Sequence, residues 1–566
     1  MPHRSRFNSV LPFTALREVF KEGYRFDHFI KDLLAGLTVG IIAIPLSMAL
    51  AIASGVPPQY GLYTAIIAGI LIPLTGGSRY SVSGPTAAFV VILYPVAQSY
   101  GLNGLLLATL LAGLIMLTLA FARLGRLIEY IPEPVTLGFT SGIAVVIAVL
   151  QLNDFLGLHI AEMPEFFFAK LVTLFDHLPA IHTGELVVGV VTLASLIIWP
   201  KFKTPIPTYL PAAIVGTLAA FLWGFNEIET IGTRFHYLLP DGTSGAGIPP
   251  VLPSLTWPWQ QPGPNGVPLD WNLSLVIELL PAAFSIAMLG AIESLLCAVV
   301  LDGMSQKRHH SNGELLGQGI GNLVTPWFGG ITATAALARS ATNYRVGAVS
   351  PIAAIIHSLV VLAAILLLAP WLAKIPMATM AAMLLLVAWN VSEAPKAIKL
   401  VRQANLGDVL VLLSCFSLTV IFDMVIAICV GVVLAALLFM RDIAQMTQVK
   451  DISGVRKHVP RPLSERTAVY KINGPLFFAA ADRVFDQLEH LSQGKQKIIL
   501  YLDGVSILDA GGLSALERFI ERRIQDGCEI VLADLQFQPL KTVSRSDLTP
   551  LPNHLSFTAT LAEALE

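Results

Sequence analysis

The stretch Ser81-Val82-Ser83-Gly84-Pro85-Thr86 interrupts an apolar region, and Gly329-Gly330-Ile331-Thr332-Ala333-Thr334 interrupts another about 250 residues later. Each opens an apolar run too short for an ordinary membrane-crossing helix. Backbone broken at membrane depth survives only where protein or a water-filled cavity satisfies its polar groups. Paired interruptions of this kind point to a substrate site between internal repeats. Two half-helix N-termini meeting there would offer free N–H groups and positive dipole ends, an arrangement suited to an anion. The alternative is a pair of flexible loop edges.

The rest of the chain supports the membrane setting. Of 566 residues, 55% are hydrophobic and only 13% charged, about half the usual charge of a soluble domain. The mean hydropathy is +0.70. A soluble enzyme and a disordered chain are both excluded as whole-chain readings. A net charge of −2 gives no electrostatic case for nucleic acid. The four cysteines have no metal spacing, and three lie in apolar runs as small buried hydrophobes. No metal or cofactor is expected.

Windows of roughly 20 apolar residues fall near 30–54, 59–76, 84–99, 102–122, 130–152, 184–199, 207–225, 275–300, 314–328, 332–345, 348–370, 375–392, 406–421 and 423–441. With the N-terminus inside, Arg79, Arg123, Arg126, Lys201, Lys203, Lys307, Arg308, Arg345, Lys396, Lys399 and Arg402 fall on inside loops. Only Lys170, Arg234 and Lys374 fall outside, which satisfies the positive-inside rule for fourteen spans with both ends cytoplasmic. Arg4, Arg6, Arg17, Lys21 and Arg25 before the first span argue against a cleavable signal peptide. The two interruptions then open spans three and ten, equivalent places in two inverted seven-span repeats. Phe166 to Leu178 is aromatic-rich and reads as an interfacial segment.

Charge density changes once: residues 1–450 hold 46 of the 74 charged residues and residues 451–566 hold 28. The expected division is a cytoplasmic segment 1–29, a transmembrane domain 30–448, a polar linker 449–462 and a soluble domain 463–566. In the last, 469–472, 497–502 and 529–532 read as strands, and 480–491 and 513–523 as helices. Alternating elements suggest a small α/β layer fold.

Candidate residues follow from the crossing. Glu293 lies in an almost uncharged run, Met288 to Val300, and a membrane-embedded carboxyl is a functional candidate by default. A proton carried there would lower repulsion against an anion; the alternative is a packing carboxyl bonded to a hydroxyl such as that of Ser294. Arg339, two turns beyond Thr332, could pair bidentately with a carboxylate, snorkel to the inner surface, or pair with an acid. Ser47, Ser83, Gly84, Thr86, Thr332 and Thr334 supply small or polar groups near the crossing, although single hydroxyls often bond back to their own helix. Pro45 reads as a kink. Gly317-Gln318-Gly319-Ile320-Gly321 lacks a preceding strand and reads as helix packing, and His309-His310 as a solvated loop.

Pro58-Gln59-Tyr60-Gly61-Leu62-Tyr63, Gly76-Gly77-Ser78-Arg79 with Gly84-Pro85, and Asn322 to Pro351 with Gly329-Gly330 and Ala338-Arg339-Ser340 resemble the SulP anion transporters (solute carrier family 26). Gly76 to Pro95 and Leu280 to Met304 are most similar to the family's bacterial C4-dicarboxylate carriers. The resemblance implies a proton-coupled carrier of succinate, fumarate or aspartate in the bacterial inner membrane, with a core domain rocking against a gate domain. It places substrate between spans one, three, eight and ten, flanked by Leu46, Leu50 and Ala338. Sulfate or bicarbonate transport, an anion channel, or a membrane-tethered scaffold are the other readings. It further implies a homodimer and a C-terminal STAS domain open to a cytoplasmic partner. At Asp509-Ala510-Gly511, where some STAS relatives carry a phosphorylatable Ser, Ala510 and Gly511 have no hydroxyl.

Overall fold

A computed structural model describes residues 10–125, 131–160, 163–164, 166–202, 204, 206–224, 227–239, 242–422 and 424–566. Arg126 and Lys203, counted above as inside charges, and Arg4 and Arg6 before the first span lie outside the described residues. The chain forms two compact units, 1–432 and 433–566.

The first unit is helical. Its elements are α1 (Thr14–Glu22), α2 (Phe26–Ala53), α3 (Pro58–Thr75), β1 (Ser83–Gly84), α4 (Ala87–Phe121), α5 (Glu133–Leu156), α6 (Phe167–His177), α7 (Thr183–Ile198) and α8 (Tyr209–Trp223). They continue with α9 (Leu273–Ser305), α10 (Ser311–Val324), β2 (Thr334–Ala335), α11 (Leu337–Val346), α12 (Ile352–Leu372), α13 (Met377–Val391), α14 (Ala394–Gln403) and α15 (Leu406–Ile421); α16 (Met424–Met446) runs into the second unit. A helix falls in each of the fourteen apolar windows, and among the described residues eight helices are long and apolar enough to cross a membrane. The windows 84–99 and 102–122 share α4, which breaks at Gly101 (φ 63°), a left-handed conformation glycine adopts without steric cost. Helix α6 covers the interfacial segment and exposes Phe168, Val172 and Phe175.

Helices α2, α3, α4, α9, α10 and α12 pack on one another, while α5 packs on α13 and α15, and α7 on α8. Close approach in the first group depends on small residues: a Cβ on Gly36 would stand 2.5 Å from the Ala353 carbonyl oxygen. The run 317–321 serves packing as its composition suggests, with a Cβ on Gly317 falling 2.6 Å from the Gly76 Cα.

In the second unit, strands β3 (Gln448–Asp451), β4 (Thr467–Asn473), β5 (Lys497–Gly504), β6 (Glu529–Ala533) and β7 (Leu555–Thr558) form one sheet in that order. The first pair is antiparallel and the rest are parallel. Strand alternation sorts the core: Tyr470, Leu500 and Leu532 pack with α17 (Phe478–Leu491) and α18 (Ala510–Gln525), while Val469, Ile499 and Val531 pack on the other face. One expectation is corrected. Residues 449–451 of the presumed linker are part of β3, because Val449 is buried and pairs with Ile472.

Candidate functional site

The two interrupted segments meet. Strand β1 pairs antiparallel with β2, Ser83 opposite Ala335 and Gly84 opposite Thr334, and all four residues are buried. The Ala336 N–H extends the ladder to the Val82 carbonyl at 2.9 Å. Buried irregular backbone needs partners, and side chains from elsewhere supply them. Asn322 brackets Ala333, donating to its carbonyl and accepting from its N–H, both at 2.8 Å. Ser340 Oγ accepts from the Val82 N–H (2.9 Å), Asn343 donates to the Tyr80 carbonyl (3.0 Å), and the Thr64 hydroxyl donates to the Ile331 carbonyl (3.1 Å).

Helices α4 and α11 start immediately beyond this ladder, at caps Thr86 and Ala336, and neither cap side chain accepts a helix N–H. The first-turn donors of both helices are therefore left for other acceptors. Two charged residues stand beside them. Glu293, on α9, accepts a 3.0 Å hydrogen bond from the Thr86 hydroxyl. Ser294 bonds to the Ala291 carbonyl in its own helix, so the hydroxyl that pairs with Glu293 is that of Thr86 rather than Ser294. Arg339, on α11, is 2% exposed and donates from Nη2 to the Pro85 carbonyl at 2.6 Å. Its Nε and Nη1 groups are buried without a hydrogen-bond partner. Among the described residues it forms no ion pair, and its burial rules out snorkelling. Gly84 makes room for it: a Cβ there would stand 2.9 Å from Arg339 Nη1.

The other predicted residues divide into two sets. Ser47 Oγ is fully buried and unpartnered, and Pro45 lies within the same helix, α2. Ala338 is exposed on α11, whereas Leu46 and Leu50 are buried on α2. Three hydroxyls are already committed to protein. Thr332 bonds to Thr109 at 2.7 Å, Thr334 donates to the Gly290 carbonyl at 3.0 Å, and Ser83 accepts from Gln318 at 3.4 Å. Thr332 and Thr334 are fully buried, with their hydroxyls engaged by protein groups at the crossing.

Sequence reasoning missed the support behind the crossing. Glu314 accepts from the Gly77 and Ser78 N–H groups at 3.1 and 3.0 Å and from Gln318 at 3.1 Å. With Gln318 and Asn322 it forms a buried polar stripe spaced by four on α10, a period legible in the sequence. Asp32 similarly accepts from the Val349 N–H at 2.7 Å and the Tyr24 hydroxyl at 2.7 Å. His309 and His310 are not simply solvated: they contact Asp302 at 2.8 Å and Glu18 at 2.7 Å.

Residues 29–415 match the sulfate permease family and residues 458–564 the STAS domain. The chain belongs to the sulfate permease family. A Bacillus subtilis relative described as "Putative sulfate transporter YvdB" is 37% identical over 528 residues, 93% of this chain and 95% of the relative. Among solved structures, the transmembrane domain of the cyanobacterial bicarbonate transporter BicA aligns with a TM-score of 0.61 at 26% identity, covering 73% of this chain and 98% of that one. The murine solute carrier 26 family member A9 anion transporter aligns with a TM-score of 0.79 at 20% identity, covering 96% and 92%, a likeness of fold. Relatives across the family are transporters rather than enzymes, and this chain is a multi-pass membrane protein with a C-terminal STAS domain.

Proposed function

We propose that this sulfate permease family member is a secondary active carrier of C4-dicarboxylates (succinate, fumarate and aspartate), driven by protons across a bacterial inner membrane. The observation that carries the anion reading is Arg339, whose buried guanidinium keeps Nε and Nη1 unpartnered beside two uncapped helix N-termini. A planar guanidinium suits a carboxylate bidentately. The dicarboxylate assignment draws on the likeness of Gly76–Pro95 and Leu280–Met304 to bacterial C4-dicarboxylate carriers. Ser47, Thr86 and Ala338 border the anion, and Glu293 carries the coupled proton. Fourteen crossings in two inverted repeats, both termini cytoplasmic and a homodimer complete the reading. A second reading, sulfate or bicarbonate transport on the same site, is favoured by the likeness to the relative described as "Putative sulfate transporter YvdB" and to the bicarbonate transporter BicA.

Uptake of labelled succinate into proteoliposomes under an inward proton gradient, beside sulfate and bicarbonate, tests this. Saturable uptake that rises with the gradient and is competed by fumarate supports it. Flux of sulfate or bicarbonate alone moves the assignment to the second reading. Glu293→Gln should abolish proton-driven uptake while sparing anion exchange; unchanged pH dependence would remove Glu293 from coupling.

A further inference from the structure

Helix α1 sorts its charges by face. Glu18 and Glu22 lie one turn apart, as do Arg17 and Lys21, so two like-charged pairs run side by side. The acidic pair faces the protein. Arg79 donates to Glu22 at 2.7 and 2.6 Å and to Glu18 at 3.2 Å, and Lys307 approaches Glu22 at 3.4 Å. His310 Nε2 lies 2.7 Å from Glu18. Buried Ala15 and Val19 anchor the same face. The Phe13 N–H and the Thr14 hydroxyl hold the carbonyls of Thr75 and Gly76, each at 3.1 Å.

The basic pair faces away. Arg17 and Lys21 are exposed and form no ion pair among the described residues. Around them lie Leu11, Phe20 and Phe26, exposed by 49%, 56% and 74%. Three residues separate α1 from α2, an apolar helix long enough to span a bilayer, so α1 is tethered at the membrane surface.

We propose that Arg17, Phe20 and Lys21, with Arg25 and Phe26, dock α1 on anionic phospholipid headgroups of the adjoining leaflet. Basic residues interleaved with aromatics suit that surface, and each cation near it contributes about a fivefold gain in affinity. The acidic face then passes the docking to the loop 75–79, which leads into β1. This inference rests on the membrane placement and is independent of which anion is carried.

The test is hydrogen–deuterium exchange of residues 12–24 in the full-length protein, in phosphatidylcholine nanodiscs and in nanodiscs containing phosphatidylglycerol. Phosphatidylglycerol should slow exchange, and Arg17→Gln with Lys21→Gln should cut that gain by about 25-fold. The charge-conserving pair Arg17→Lys and Lys21→Arg should keep it. Equal exchange in the two lipids, or a full gain in the neutral variant, overturns the proposal. Protection reproduced by inorganic phosphate in phosphatidylcholine overturns the lipid source, leaving a soluble-anion site.

Discussion

Arg339→Gln isolates the anion contact. The parent guanidinium is 2% exposed, holds the Pro85 carbonyl through Nη2 and leaves Nε and Nη1 unpartnered. If those two groups grip a carboxylate, the loss is that of one to two charge-assisted bonds, about 2–4 kcal/mol, or roughly 30- to 700-fold in Kd. The amide of Gln is shorter but uncharged, so the fold loses one bond while shedding a buried charge, and stability should change little. Arg339→Lys keeps the charge without the fork and should cost about tenfold. The assay is succinate-dependent thermal stabilisation of purified protein, with counterflow in proteoliposomes as a second readout. A folded Arg339→Gln variant that binds within threefold of the parent would refute the reasoning.

Asn322→Ala strips both partners from the buried Ala333 peptide groups. It should destabilise the protein by about 2–5 kcal/mol, read as a drop in melting temperature; a shift below one degree would mean the crossing does not depend on it. The α1 clamp should be acid-labile. Arg79 holds the Glu22 carboxyl down to about 2 through its hydrogen bonds, below the ordinary carboxylate value, and Glu18 is lowered chiefly by its bond to His310. Glu22 contributes stability that is present above pH 4.5 and lost as pH falls toward 2, and the lowered Glu18 carboxyl adds stability that is likewise lost on acidification. Exchange of residues 14–22, corrected for intrinsic rate, should therefore accelerate as pH falls from 4.5 toward 2; a flat profile over that window would contradict the sign.

The crossing was legible because its signal is an interruption. Gly-Pro and Gly-Gly in otherwise apolar runs break helices through local backbone chemistry, whatever surrounds them. The strands of the C-terminal unit were legible as short, nearly continuous apolar runs, and Asp509 adds a local cap, accepting from the Gly512 N–H at 2.7 Å. Hydroxyl roles were not legible. Thr332 finds Thr109 from 223 residues away, and Thr334 finds a carbonyl of another helix; such pairings arise from packing rather than from local pattern. The window pair 84–99 and 102–122 shows a third case: the gap between the windows falls at the Gly101 break, but the packing that encloses it comes from distant chain, a Cβ there lying 2.4 Å from the Gly263 carbonyl carbon.

The two charges at the crossing are tied to adjacent residues. Arg339 holds the carbonyl of Pro85, and Glu293 accepts from the hydroxyl of Thr86. These two residues form the entry to α4, so a shift of that helix start disturbs both contacts together. An anion drawn to Arg339 and a proton carried by Glu293 would thus act on one short piece of backbone. The coupling is measurable as a double-mutant cycle on substrate affinity with Arg339→Lys and Glu293→Gln. Residues sharing one network couple by about 0.5–3 kcal/mol, whereas independent sites add to within about 0.5 kcal/mol. An additive cycle would show that the Pro85–Thr86 entry does not join the two groups. A coupling above 1 kcal/mol that collapses in Thr86→Val, which removes the hydroxyl and leaves the Pro85 carbonyl in place, would place the link in that hydrogen bond rather than in a through-space field.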